Sequence, residues 1–318
     1  MNNLKDIRFY KVISLFIKAI VLTASFYYIL HKLITSSALF AHSPFHFSFK
    51  SSCYILFTII LMFCNWGVEA RKWQLLIATD EKISWSTSLQ SIFAGVTMSI
   101  FTPNRVGEFA GRIFFLKEMN KVKASMRSAF GSFMQLLITL IAGCFASLLY
   151  IKKEYNNLVP LQSFLDPDNK WMLFTLVLIV IAIIYAIVKF PYFLKWRHYL
   201  AASFKIPRKQ FFQTLFLSAI RYFVFTMQFY LMLLAIGIEI DCLSAFMLIA
   251  VTFLMTSIIP SFALTEIVVR SAVAVSVFAA TGQAEMAATA SFFLWVINLA
   301  IPAVLGSLFM GKLQFFKA

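Results

Sequence analysis

Apolar runs of about twenty residues recur from one end of this chain to the other, and that is the length an α-helix needs to cross about 30 Å of hydrocarbon. No water reaches the backbone amides and carbonyls at that depth, so each run must satisfy its own hydrogen bonds as a helix. The runs fall at 12–34, 52–76, 128–151, 171–189, 212–236 and 286–310. No polar segment among the 318 residues is long enough for a soluble domain, and only 13% of the chain is charged, against roughly one quarter in soluble proteins. The pattern predicts an all-α polytopic membrane protein built as a single membrane domain, 1–318.

The net charge of +15 would suggest nucleic acid in a soluble chain. Here the basic residues cluster between the apolar runs, where they set topology and attract anionic lipid, so no nucleic-acid partner is expected. With the N-terminus inside, eighteen Lys and Arg fall on the inner side and five outside; the other five (Lys18, Arg105, Arg112, Arg221, Arg270) lie within apolar segments. Both termini are expected in the cytoplasm. Lys18 is read as snorkelling to the interface. The first run follows Lys5, Arg8 and Lys11 and is too long for a cleaved leader, so it is read as a retained span. The scattered Cys53, Cys64, Cys144 and Cys242 have neither metal nor redox spacing.

Two further segments are apolar, yet each is broken by a proline. The first runs from Val96-Thr97 through Pro103 to Arg105, Gly107, Glu108 and Arg112; the second runs from Val251-Thr252 through Pro260 to Glu266 and Arg270. Matching positions lie 157 or 158 residues apart, close to half the chain. Paired, interrupted hydrophobic segments at equivalent places in two halves point to a transporter-like substrate site. Each is expected to form a re-entrant helical hairpin that enters and leaves on one side. Three crossings and one hairpin per half then make the second half inverted. The expected architecture is six transmembrane helices plus two re-entrant hairpins in an inverted repeat, 1–155 and 156–318.

Pro103 removes an amide donor and disfavours helix before it, and Pro260 does the same in the second segment. The helix that restarts beyond each break, near Gly107 in the first, presents unpaired amides and a positive dipole end. Arg105 and Arg112 are about two turns apart and expected on one helical face, with Glu108 between them at pairing distance. A charge at bilayer depth costs roughly 2.5–3.5 kcal/mol, so these residues call for partners or a function. Glu108–Arg112 and Glu266–Arg270 can neutralise one another as helix ion pairs. Arg105 and Arg221 have no acidic partner in sequence reach, which favours a site for an anionic headgroup formed by Arg105, Arg112, Arg221 and Arg270. Glu108, Glu266 and Glu69 are the candidates for gating or proton coupling. Glu69 and its tryptophan neighbours can equally belong to the interfacial belt. Asn65, Gln135, Tyr222, Gln228 and Asn298 read as interhelical hydrogen bonds. No catalytic constellation, metal-ligand spacing or cofactor motif stands out.

The run Thr102-Pro103-Asn104-Arg105-Val106-Gly107-Glu108 with Arg112 resembles the Pro-x-Arg-x-Gly-Glu…Arg signature of the lysylphosphatidylglycerol synthase transmembrane family, the flippase-type membrane domain of the multiple peptide resistance factor and of stand-alone relatives. Asn65 through Arg71 and Trp73 also fits that family's second span. Its later Pro-Gly-Gly-x-Gly-x-x-Glu pattern is half kept: Pro260 and Glu266 match, while Ser261, Phe262 and Ala263 stand where the family pattern differs. The resemblance implies a bacterial or archaeal inner-membrane protein that translocates an anionic or aminoacylated phospholipid or a polyprenyl-linked lipid. Aminoacyl transfer is not expected of it. The alternatives are a lipid-headgroup transferase and a non-catalytic membrane partner of an envelope lipid or glycan synthase.

Overall fold

The computed structural model describes residues 48–100, 102, 105–158, 206–259 and 263–309. Among them every regular element is helical. They are α1 (Phe49–Ile77), α2 (Trp85–Ser99), α3 (Gly107–Ile113), α4 (Lys121–Leu158), α5 (Arg208–Ile236), α6 (Cys242–Ile258), α7 (Ala263–Phe278), α8 (Ala284–Trp295) and α9 (Ile301–Phe309). Four stretches are long and apolar enough to cross a membrane: Phe49–Ile77, Lys121–Tyr150, Arg208–Ile236 and Ala284–Phe309. These coincide with the expected second, third, fifth and sixth spans. The runs at 12–34 and 171–189 lie outside the described residues. The helices α4 and α5 begin at Lys121 and Arg208, several residues before their apolar runs. The early turns of α4 are held by its basic side chains, Lys121 donating to the Ile113 and Leu116 carbonyls and Lys123 pairing with Asp80.

Local chemistry accounts for the ends. Ser48 caps α1 and Ser84 caps α2, each accepting an N–H three residues on at 3.1 Å, and Asp241 caps α6 through Ser244 N–H at 3.1 Å. Each side chain satisfies an amide that the first turn leaves orphaned. α5 stops at Gly237, whose φ of 90° is open to a residue without Cβ. The N–H of Ile238 then returns to the Leu233 carbonyl at 3.0 Å, a Schellman closure. Between α8 and α9, Val296–Ala300 forms a π turn. Pro302 lacks the N–H that would bond the carbonyl of Asn298, and a local π turn relieves the mismatch.

The two proline-broken segments fold as helical pairs, α2 with α3 and α6 with α7. In the first, glycine brings the backbones into contact. A Cβ on Gly111 would stand 2.3 Å from Gly95 Cα, and one on Gly107 would stand 2.3 Å from the Met98 carbonyl oxygen. Small residues give this close approach where lipid supplies no hydrophobic drive between helices. Gly306 lets α9 lie equally close to the Phe93 carbonyl of α2, and Thr97 Oγ1 donates across that seam to the Ala303 carbonyl at 2.7 Å. α4 meets α6 where Gly143 faces Leu254 and Ala250. α1 and α5 run antiparallel, since Gln210 donates to the Leu75 carbonyl and Gln228 to the Thr58 carbonyl, both at 2.9 Å.

The base of the first pair is clamped outside the spans. Glu81, in the α1–α2 connection, accepts the N–H groups of Lys117, Glu118 and Met119 at 3.0, 3.0 and 2.9 Å. Asp80 beside it pairs with Lys123 and Arg127 of α4. Partial burial pushes the Glu81 carboxyl up, but the three amide donors outweigh it and hold the group below its usual range.

Two outcomes follow. Gly111→Ala forces two backbones apart and is expected to destabilise the protein by about 1–3 kcal/mol, the range for overpacking; Gly67→Ala, whose Cβ would meet only Trp85 at 3.6 Å, is the near-neutral control, with thermal unfolding in detergent as the readout. A carboxyl whose folded pKa is depressed adds stability that is present above its unfolded value and lost as pH falls through the folded one. The melting-temperature gap between wild type and Glu81→Gln is therefore expected in full near neutrality and to narrow on acidification below about pH 4.

Candidate functional site

The site is built on one buried carboxylate. Glu69, on the inner face of α1, is 1% exposed and receives cations from three helices. Lys72, one turn on, lies 2.6 Å away. Arg112 of α3 reaches it at 3.0 Å and Arg221 of α5 at 2.9 Å. Arg112 also pairs with Glu108, its i−4 neighbour. Lys72 donates a further hydrogen bond to the Gly131 carbonyl of α4 at 3.3 Å, so four helices converge on this charge. Both arginines lie against tryptophan rings, Arg112 over Trp73 at 5.9 Å and Arg221 over Trp66 at 5.0 Å. A desolvated guanidinium gains from the ring quadrupole there.

Arg221 links this network to the second half of the chain. Its Nε donates to Asn65 Oδ1 at 3.1 Å, and Asn65 Nδ2 meets Asn298 Oδ1 of the π turn at 3.5 Å. The second carboxylate centre is Glu266 near the start of α7. Arg270, one turn on, donates from Nε at 3.0 Å and approaches from Nη2 at 2.9 Å, both to Glu266 Oε1. Arg105 comes from the tip of the other helical pair and lies 3.6 Å from Glu266 Oε2, an ion-pair distance longer than a hydrogen bond. Arg105 has φ 59°, the one non-glycine residue with positive φ among those described. An arginine in this left-handed region is strained.

Between these two centres lies a cavity of about 210 Å³. Arg105, Arg221, Arg270 and Glu266 line it, with Trp66 and Trp295 among its aromatic walls. In the whole cluster five cations (Lys72, Arg105, Arg112, Arg221, Arg270) face three carboxylates (Glu69, Glu108, Glu266), an excess of two positive charges.

The sequence-derived residues divide. Arg105, Arg221, Arg270 and Glu266 share the cavity wall, whereas Arg112, Glu108 and Glu69 stand outside its lining. The two arginines of the first signature are not on one helical face: Arg105 precedes α3 in its left-handed turn, and Arg112 lies inside α3, 1% exposed. Gly107 opens α3, its N–H donating to Thr102 Oγ1 at 2.7 Å. The breaks at Pro103 and Pro260 lie outside the described residues. Arg105 and Arg221, without acidic partners in sequence reach, find Glu266 and Glu69 through the fold. Trp66 and Trp73 do not form an interfacial belt; they are 3% and 0% exposed, held inward by the arginines. Lys72 also belongs to the site, and its one-turn spacing from Glu69 is the sequence signal for it, masked by its place among the basic residues that end an apolar run.

Glu69→Gln is expected to destabilise the protein by about 3–5 kcal/mol, since it leaves buried cations uncompensated. Adding Lys72→Met should restore part of that loss, so the two effects will be non-additive in detergent melting experiments.

Comparison with curated proteins and with solved structures gives no significant match. The profile of the lysylphosphatidylglycerol synthase TM region matches residues 16–306, nearly the full chain and the whole of the cavity. This membrane protein belongs to the lysylphosphatidylglycerol synthase transmembrane family.

Proposed function

We propose that the protein is a lipid translocase of the cytoplasmic membrane, holding the anionic headgroup of a phospholipid or polyprenyl-linked lipid between two broken-helix hairpins. The observation that carries this reading is a cavity walled by α1 and α4–α8, into which the α2–α3 connection brings Arg105 and α7 brings Arg270. Intramembrane charges facing a cavity mark substrate pathways. A headgroup phosphate there would meet guanidinium groups able to form short, charge-assisted hydrogen bonds, while its chains stayed in lipid. Arg105 is the most loosely held of the three arginines, so it is the group free to turn to a ligand. Arg112, Glu108 and Glu69 would act behind the cavity by fixing Arg221 and α3. Gating falls to Glu266, which joins the two hairpins through one contact.

The architecture proposed with this function is the single domain 1–318 with six spans and two re-entrant hairpins, arranged as inverted repeats 1–155 and 156–318 with both termini cytoplasmic. Three packing relations support it. The corresponding spans α1 and α5 are antiparallel. α4, closing the first half, packs on the hairpin helix α6 of the second. Reciprocally, α9, closing the second half, packs on the hairpin helix α2 of the first.

The test is transfer of a fluorescent phospholipid across reconstituted vesicles, read by quenching from outside. Removing one charged hydrogen-bond partner, about 1.5–3 kcal/mol, predicts that Arg105→Ala slows transfer about tenfold or more, with the melting temperature retained. Unchanged transfer in that variant would overturn the proposed site.

A further inference from the structure

Three arginines and one carboxylate line the cavity wall. Among the described residues, Trp66 Nε1, Trp295 Nε1 and Tyr222 Oη lack a hydrogen-bond partner and belong to residues lining the cavity, but these atoms are themselves sealed from its open space. Arg105 Nε, by contrast, meets Glu266 Oε2 at 3.6 Å. One buried acceptor on the same wall, Gln135 Oε1, is also without a partner, its amide nitrogen being engaged with the Ser218 carbonyl at 3.3 Å. An ion pair at 3.6 Å leaves Arg105 short of a hydrogen bond to Glu266, so this guanidinium is the group on the wall that a ligand's acceptor oxygen can engage.

Charge narrows the ligand further. The surrounding cluster holds two more cations than carboxylates, and four of the five cations are arginines, which stay protonated at any physiological pH. A phosphodiester headgroup brings one negative charge. A terminal phosphate brings about −1.5 to −2 and three strong acceptor oxygens. Glu266 already sets anionic oxygens between Arg105 and Arg270, at 3.6 and 2.9 Å, so the geometry admits an oxyanion between the two hairpins.

We infer that the cavity selects a dianionic, acceptor-only headgroup, a terminal phosphomonoester or diphosphate, over the monoanionic phosphodiester of common phospholipids. Arg105 and Arg270, both on the cavity wall, bind its oxygens. The lipid part of this inference rests on the translocase reading; the charge preference does not.

The test uses the purified full chain in detergent at pH 8, with tryptophan fluorescence reporting on titrations of phosphatidate, phosphatidylglycerol, inorganic phosphate and inorganic pyrophosphate. Phosphatidate is expected to bind about tenfold or more tightly than phosphatidylglycerol, a difference of about 1.4 kcal/mol, and the inorganic anions more weakly than phosphatidate. Arg270→Gln should bring the two lipid affinities together; Arg105→Gln, at a side chain one-third exposed (35%), gives the same readout if the first variant does not fold. Equal affinities of wild type for the two lipids would overturn the dianion preference and leave the translocase reading standing. Inorganic phosphate or pyrophosphate binding as tightly as phosphatidate would make the ligand a soluble anion and overturn the lipid assignment. Binding of neither lipid would overturn both.

Discussion

Compensation of one carboxylate far from water governs this structure. Glu69 is buried on α1, and a lone charge in that position would be strongly unfavourable. Its partners arrive from α1, α3 and α5, so the helices can settle only in an arrangement that delivers all of them together. Lys72 and Arg112 would each be as costly to bury alone. The network therefore acts as a register mark. Sliding α5 by one turn along α1 would withdraw Arg221 from both Glu69 and Asn65, and rotating α3 would withdraw Arg112. Apolar packing between membrane helices has little of this selectivity, because lipid competes on equal terms with leucine and phenylalanine.

The second centre is held differently. Arg270 grips Glu266 within its own helix, whereas Arg105 approaches from another element and stops short of a hydrogen bond. Its backbone is strained as well. One face of the cavity is thus fixed by a network of several ion pairs and the other by a single loose cation. That asymmetry leaves the α2–α3 connection as the looser side of the cavity and the opposite side as the firmer one, where Trp66 and Asn65 hold Arg221.

Much of this was legible in the sequence, for identifiable reasons. Hydropathy marks spans reliably because an unpaired backbone group cannot exist in lipid, so the four described spans fall where the apolar runs are. The pairs Glu108–Arg112 and Glu266–Arg270 are i,i+4 contacts and need only a helix to form. What spacing could not supply was the pairing of Arg105 with Glu266 or Arg221 with Glu69, since those partners are brought together by tertiary packing alone. Trp66 and Trp73 misled for a related reason: tryptophan next to basic residues is ordinary at an interface, and only burial reveals that the rings serve as platforms for arginines. The π turn at Val296–Ala300 was equally hidden, although Pro302, whose missing N–H produces it, stands in plain view.

The glycine seam between α2 and α3 has a mechanical corollary. Backbones in direct contact at Gly95 and Gly111 leave no side-chain layer to shear, so the two helices translate and tilt as one stiff beam. The clamp made by Glu81 on the amides of residues 117–119 fixes that beam at its foot. Arg105 rides at the far end, where a small rotation about the foot becomes the largest displacement. In a lever of this kind a slight rotation at the foot moves the Arg105 guanidinium on the cavity wall.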